Sequence, residues 1–468
     1  MSMSQRIVPL RCFRPGFEPL LSLAMSTSNG NLFVRGAKIV ETSGVCEEDI
    51  LIVGGAVAAR GAGLEAPEDC EVIDASGQLV FPGLVDPQVH FREPGFPDKE
   101  DLATGSLAAI AGGVTSFCEM PNTTPPTTSP EALEDKLDRA KGRVSSDHAF
   151  FLGATSENAD ILGEWETAPG CAGIKIFMGS STGTLLVPDD PTLERVLRSG
   201  DRRVAVHSED DPMLKEAYAR LEEGTLVSSH PDVRSVECAV RSTNRLLDLV
   251  EKTGRKIHLL HVSTGDEVEI LRERDLGELV TAEVTPNHLF MTSPDCYAEF
   301  GSYAQMNPPV RDEAHRDIIR GGLVDGTISC IGSDHAPHTA EEKAKPYPHS
   351  PSGIPGVQTI LGLLLTAVKD GWMTLEDVAR VASSAACDVY GIKGKGSLAI
   401  GSDGDLVIVD PDERGPIQEE WLRSRAGWSP FVGRELNGWP ILTALAGRVA
   451  YKDHALVGEP SGRPLRYV

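Results

Sequence analysis

Five residues stand where an apolar run turns polar: His90 in "GLVDPQVHF", Lys175 in "AGIKIFMG", His207 in "RRVAVHSE", His261 in "KIHLLHVS" and Asp334 in "TISCIGSD". A single histidine at a strand end is usually a hydrogen-bonded structural residue. Three of them on separate runs favour a metal site, since neutral imidazole is the commonest ligand for zinc and manganese in such sites. Lys175 interrupts an otherwise apolar stretch. Its stem could pack while the amine reaches solvent. Burial, however, lowers a lysine pKa, and a neutral amine adds to carbon dioxide as a carbamate, an anion able to bridge two cations. Asp334 could cap a turn, or one of its oxygens could hold a metal while the other takes a proton from an attacking water. Two ions about 3.5–4 Å apart would activate that water and polarise the bond it attacks.

The first of these runs carries an irregularity. It continues as "DPQVHFREPG" over positions 86 to 95. Side chains alternate faces along a strand, so positions 88 and 90 share one face. A histidine at both would make a metal pair, yet position 88 holds Gln88. An amide oxygen is a poorer zinc ligand than imidazole. The run therefore admits three readings: a metalloenzyme with an altered ligand, an inactive relative of one, or no metal site.

The elements that must carry these residues form two patterns. Between about 81 and 394, eight β-prone runs alternate with helical segments such as "SPEALEDKLDRAKG", "VECAVRSTNRLLDLVEKTG" and "LEDVARVASSAACDVYG". The first segment opens with Ser129, Pro130 and Glu131, a cap, a first-turn proline and an early acid. Eight such alternations predict an α/β fold, a (β/α)8 barrel, whose active site lies at the C-terminal ends of its strands. All five polar residues fall at those ends. Residues 31–80 and 395–468 instead carry short alternating runs bounded by Gly and Asp, as in "NLFVRGAKIV" and "GSDGDLVIVDP". They predict one small composite β-sandwich domain built from both termini. Residues 1–30 lack either period and read as a disordered extension, with Met25 a plausible true start.

Composition narrows the partners. The 468 residues carry a formal charge of −25, which argues against nucleic acid or an anionic membrane. With 40% apolar and 24% charged residues the chain has ordinary globular usage. Nine cysteines without a CxxC pair fit a reducing, cytoplasmic compartment better than a disulfide framework.

The motifs together carry a resemblance. "DPQVHFREPG", "EMPNTTPPT", "GIKIFMGSSTG", "VHSED", "LLHVST", "MNPPVR", "SDHAPHT" and "SGIPGVQT" make the chain, from about residue 30 to its end, similar to the dihydroorotases of the amidohydrolase superfamily. By that resemblance His90, Lys175, His207, His261 and Asp334 are the metal ligands. Lys175 is the carbamate, Asp334 is also the general base and acid, and Gln88 stands where a first-strand histidine is expected. One or two zinc ions per chain, or another divalent metal, are implied. Arg92, Asn122 and His338 correspond to the grip on the exocyclic carboxylate of dihydroorotate. Asn307, with the backbone around Ser352 and Gly353, corresponds to the groups that hold the ring amide.

The implied reaction is reversible hydrolysis of dihydroorotate to N-carbamoyl-aspartate, a step of pyrimidine biosynthesis. A homo-oligomer and an aspartate transcarbamoylase partner are expectations of the same kind. Two alternatives remain. A hydantoinase or allantoinase shares fold and metals but takes rings without the exocyclic carboxylate, so Arg92, Asn122 and His338 discriminate. A non-catalytic partner of aspartate transcarbamoylase would have lost several ligands together, whereas here only position 88 departs.

Overall fold

A computed structural model describes residues 30–180 and 185–468. The extension expected over 1–30 thus lies outside the described residues except for Gly30, which is buried and accepts a hydrogen bond from the Gly55 amide at 3.0 Å. The tail of "GIKIFMGSSTG" also falls outside them.

The chain begins with β1 (Leu32–Glu41), β2 (Gly44–Val53), β3 (Ala56–Gly61), β4 (Glu71–Asp74) and β5 (Leu79–Pro82). The barrel strands follow: β6 (Leu84–Val89), β7 (Val114–Glu119), β8 (Asp147–Gly153), β9 (Cys171–Phe177), β10 (Val204–His207), β11 (Ile257–Leu259), β12 (Val280–Val284) and β13 (Cys330–Ile331). They pair in sequence order into one parallel sheet. The bridge between Val89 and His335, with the His90 amide donating to the His335 carbonyl at 2.8 Å, brings its two edges together. Asp86 helps from the side, accepting from the Ser333 amide at 3.0 Å. Every residue of β6 to β10 is buried, as parallel strands covered by helices must be.

Beyond the barrel lie β14 (Leu406–Pro416), β15 (Glu435–Leu445), β16 (Arg448–Lys452) and β17 (Ala455–Leu456). They join the first five strands in one nine-stranded sheet, with β14 pairing β5 directly. Leu32, Ile50, Val57, Leu406, Leu442 and Val449 share a core of their own, separate from that of the barrel. Both ends of the chain therefore build the second domain. Lys395, 3% exposed, ties the two parts, reaching Asp147 at 2.5 Å, on the barrel, and Asp405 at 2.6 Å.

Helices begin where their caps place them. Pro130–Ala140 is capped by the Ser129 hydroxyl, and Val236–Thr253 by that of Ser235. The segment expected as one helix over "LEDVARVASSAACDVYG" divides into Leu375–Ala379, a wide π turn at Arg380–Ser384, and Ala385–Tyr390. The eight described cysteines are free. No helix among the described residues is long and apolar enough to cross a membrane.

Candidate active site

Two arcs of the barrel mouth supply the site. On the first, Asp86, Gln88 and His90 occupy alternate positions, and β6 lies beside the loop after β13 that carries Asp334. Gln88 Nε2 donates to Asp334 Oδ1 at 3.0 Å, and His90 Nε2 lies 3.0 Å from the same oxygen. His90 Nδ1 is 2.7 Å from Asn122 Oδ1. That oxygen only accepts, so the neutral ring carries its proton on Nδ1 and turns the Nε2 lone pair toward a carboxylate oxygen. Two electron-rich atoms so placed call for a proton or a cation between them.

The second arc repeats the arrangement. Strands β9, β10 and β11 are neighbours, and Lys175 and His207 lie within the first two, His261 just past the third. His207 Nε2 donates to Glu209 Oε2 at 2.9 Å, leaving Nδ1 to face His261 Nε2 at 3.0 Å. Glu209 is itself fixed by the Arg234 guanidinium. Although burial raises a carboxyl pKa, Arg234 and His207 hold that of Glu209 far below its usual range. Burial pulls His207 and His261 down, so both rings favour the neutral form that binds metal. A carboxylate behind a metal-facing imidazole fixes its tautomer and orientation.

Lys175 completes this arc. It is 1% exposed, and its amine lies 4.4 Å from the centroid of the Phe177 ring. Burial draws its pKa down to about 7, against the opposing pull of Asp334 and Glu283. A substantial share of free amine at neutral pH follows.

The donor set fits a divalent ion. Besides the two close pairs of facing donor atoms, Gln88 Oε1 and His261 Nδ1 are buried without a hydrogen-bond partner among the described residues. The Gln88 amide has one sensible orientation, because reversing it would set its oxygen against the Asp334 carboxylate. Arg92, His261 and Asp334 have φ of 63°, 37° and 47°. Side chains rarely adopt this region, which costs about 1–3 kcal/mol per residue and concentrates at functional sites.

A second buried trio lies apart from these groups: His258 on β11, Glu283 on β12 and Cys330 on β13, with ligand atoms within 4.8 Å of one another. Burial pushes Glu283 well above the usual carboxyl range. Its protonated carboxyl can donate to His258 Nε2 at 3.1 Å, while His258 Nδ1 bonds Thr281 Oγ1 at 2.8 Å. That contact satisfies one Glu283 oxygen, while Glu283 Oε1 is buried without a hydrogen-bond partner among the described residues.

The cavity at the mouth is lined by Gln88, His90, Lys175, His207, His261 and Asp334 together with Phe177, Asn307, Ala336, Ser352 and Gly353. All five predicted ligands thus meet in one place, and so do three of the predicted substrate residues. Arg92, Asn122 and His338 are absent from the lining but linked to it. Asn122 orients His90. Arg92 donates to the Pro337 carbonyl at 3.1 Å and lies 3.2 Å from His338 Nε2, which is in turn 3.1 Å from the Ser352 carbonyl. Arg92 is 5% exposed, and the neighbouring Glu93 pairs with Arg143 at 2.9 Å.

Sequence reasoning passed over Glu209, although it quoted "VHSED", because an acid there also suits the start of a helix. It also passed over Arg234 and over His230, whose Nε2 lies 3.1 Å from Asn307 Oδ1. These two come from distant segments with no periodic signal.

Comparison with known proteins agrees with this geometry. The sequence matches the Amidohydrolase family over residues 194–450 and the Dihydro-orotase-like family over 77–160. A dihydroorotase of Methanosarcina mazei is 33% identical over 442 residues, covering 92% of this chain and 96% of the relative. One of Halobacterium salinarum is 35% identical, covering 84% and 91%. Among solved structures, an L-hydantoinase from Arthrobacter aurescens superposes with a TM-score of 0.87 at 29% identity, covering 93% of this chain and 99% of the other. A D-hydantoinase from a Thermus species gives 0.85 at 28%, covering 93% and 99%. With one mouth gathering imidazoles, a buried lysine and an aspartate, and with relatives spanning almost the whole chain, this protein belongs to the dihydroorotase family of the metal-dependent amidohydrolases.

Proposed function

We propose that the chain catalyses the reversible hydrolysis of (S)-dihydroorotate to N-carbamoyl-L-aspartate, the ring-forming step of pyrimidine biosynthesis when run in reverse. The observation that carries this reading is the charge beside the ring-binding wall. Arg92 and Lys99 flank His338, with Lys99 Nζ at 3.2 Å from its Nδ1. Burial and these cations draw His338 down to about 3, so it is neutral and adds no further charge. Glu342 pairs Lys99 at 2.9 Å and offsets its charge, whereas Arg92 makes no ion pair among the described residues. A buried guanidinium without a carboxylate partner suits a ring that brings one, which a bare hydantoin does not. The hydantoinase structures share the fold, and fold alone does not select the substrate.

The residues divide the work as follows. His90 and Asp334, with Gln88, would hold one divalent ion. His207 and His261 would hold a second, with Lys175 between the two. Zinc suits imidazole and carboxylate donors. Such ions, when bound, lower the pKa of a water and polarise the amide carbonyl. The free amine of Lys175 could add carbon dioxide with loss of one proton, which would supply an anionic ligand between the two ion sites. Asp334 accepts a proton from the attacking water through its carboxylate and returns it to the departing ring nitrogen. Asn122 and Glu209 keep His90 and His207 in the tautomers described. Asn307, Ser352 and Gly353 receive the ring amide, and Arg92 pairs the exocyclic carboxylate, a geometry to which a guanidinium is suited.

Arg92→Ala tests the substrate assignment. A hydrogen bond to a charged group is worth about 1.5–3 kcal/mol, so KM for dihydroorotate should rise at least about tenfold. Binding of a carboxylate-free cyclic imide should change much less. Equal losses on both would give Arg92 a structural role and remove the support it lends to dihydroorotate.

A further inference from the structure

Lys343 is the last residue of the short helix Ala340–Lys343 and is fully buried. A lysine ammonium has three N–H donors. Here they reach three backbone carbonyls: Gln305 at 3.1 Å, Pro351 at 2.9 Å and Gly353 at 3.0 Å. Among the described residues no carboxylate acts on it. Burial, reinforced by the charge of Arg92, draws its pKa down to about 7. A buried cation without a counter-ion is costly, and an apolar side chain of similar volume would often be the more stable choice. Packing alone therefore gives no reason for a lysine.

The three carbonyls belong to the two segments that bring Asn307 and the Ser352–Gly353 backbone to the cavity. Gln305 serves both: its carbonyl also accepts from the Gly353 amide at 2.9 Å, and its side chain bonds the Ser350 carbonyl and the Ser352 hydroxyl, each at 3.0 Å. The Pro351–Gly353 segment also packs tightly against the loop after β13. Gly353 has φ 144°, and a Cβ there would stand 2.4 Å from the Ala336 carbonyl oxygen. We propose that Lys343 is a positioning residue for ring recognition, its ammonium clipping the Gln305 segment to the Pro351–Gly353 segment and so setting the gap that receives a cyclic amide edge. This rests on the cyclic-amide reading of the site but not on the exocyclic carboxylate, which neither segment faces through this clip.

The test is Lys343→Met in the full chain, with metal content measured alongside kinetics. Replacing the ammonium should raise KM for dihydroorotate about tenfold, the change equivalent to one charged hydrogen bond. Affinity for dihydrouracil, as substrate or competitive inhibitor, should weaken by the same factor, with kcat and metal content close to wild type. That parallel loss separates the clip from Arg92, whose removal should spare the carboxylate-free ring. A folded Lys343→Met protein with unchanged KM on both rings, differing only in Tm, would overturn the proposal, as would a loss confined to dihydroorotate. Should Lys343→Met fail to fold, Lys343→Gln, which keeps two N–H donors, carries the same comparison. Were wild type inactive on dihydroorotate, the dihydropyrimidine arm would still read the clip, and only the substrate assignment would fall.

Discussion

Lys175→Ala is expected to remove turnover and metal together. The side chain lies inside the barrel mouth, between the arc of His90 and Asp334 and that of His207 and His261, and all of them line one cavity. Its loss takes away the group that, as a carbamate, would bridge the two arcs as an anion. Removing one electrostatic partner of a transition state commonly costs about 10²–10³ in kcat. Here the metal leaves as well, so the fall should be at least of that size. Elemental analysis and kcat should decline in parallel, and formate or acetate in the buffer should restore part of both by supplying a replacement carboxylate. Normal turnover in Lys175→Ala would remove the carbamate from the account.

The second large effect concerns Gln88. Its Nε2 donates to Asp334 Oδ1, the same oxygen that faces His90, and its Oε1 is left without a partner. Asp334 is therefore shared between a hydrogen bond and any ion beside it, and the amide oxygen offered in return is a weak ligand. We expect one tight ion at Lys175, His207 and His261 and one weak ion at His90, Lys175 and Asp334. Gln88→His should tighten the weak site, and changes of this kind shift metal affinity by about 10–100-fold. After dialysis against a mild chelator, wild type should keep about half the metal of Gln88→His. Two ions per chain in both proteins would contradict the weak site. No metal in either, with dihydroorotate untouched, would favour a non-catalytic partner of aspartate transcarbamoylase.

Much of this site was readable before folding. His90, Lys175, His207, His261 and Asp334 each break an apolar run, and a barrel sends such breaks to one face. The strand limits were harder to read. Strand β13 is only Cys330–Ile331, and Asp334 lies three residues beyond it at positive φ, in a loop whose shape no alternation announces. Glu209 carries no signal of its own in "VHSED"; Asp210 caps the next helix and Glu209 turns inward to His207. Arg234 and Lys343 carry no signal in the sequence, the latter standing in "AEEK". Their roles depend on carboxyl and carbonyl groups brought close only by the closed barrel. The helix over Leu375–Tyr390 was legible as helix, but its wide turn was not, since a bulge leaves the apolar spacing nearly unchanged.

The central claim is that these groups serve a ring with an exocyclic carboxylate. It is tested most directly by comparing kcat/KM of the purified, zinc-loaded wild-type chain on dihydroorotate and on hydantoin. One charged hydrogen bond corresponds to about tenfold or more in discrimination. The account predicts formation of N-carbamoyl-aspartate with kcat/KM at least about tenfold above that for hydantoin. A chain that opened hydantoin as fast as dihydroorotate, or faster, would contradict it.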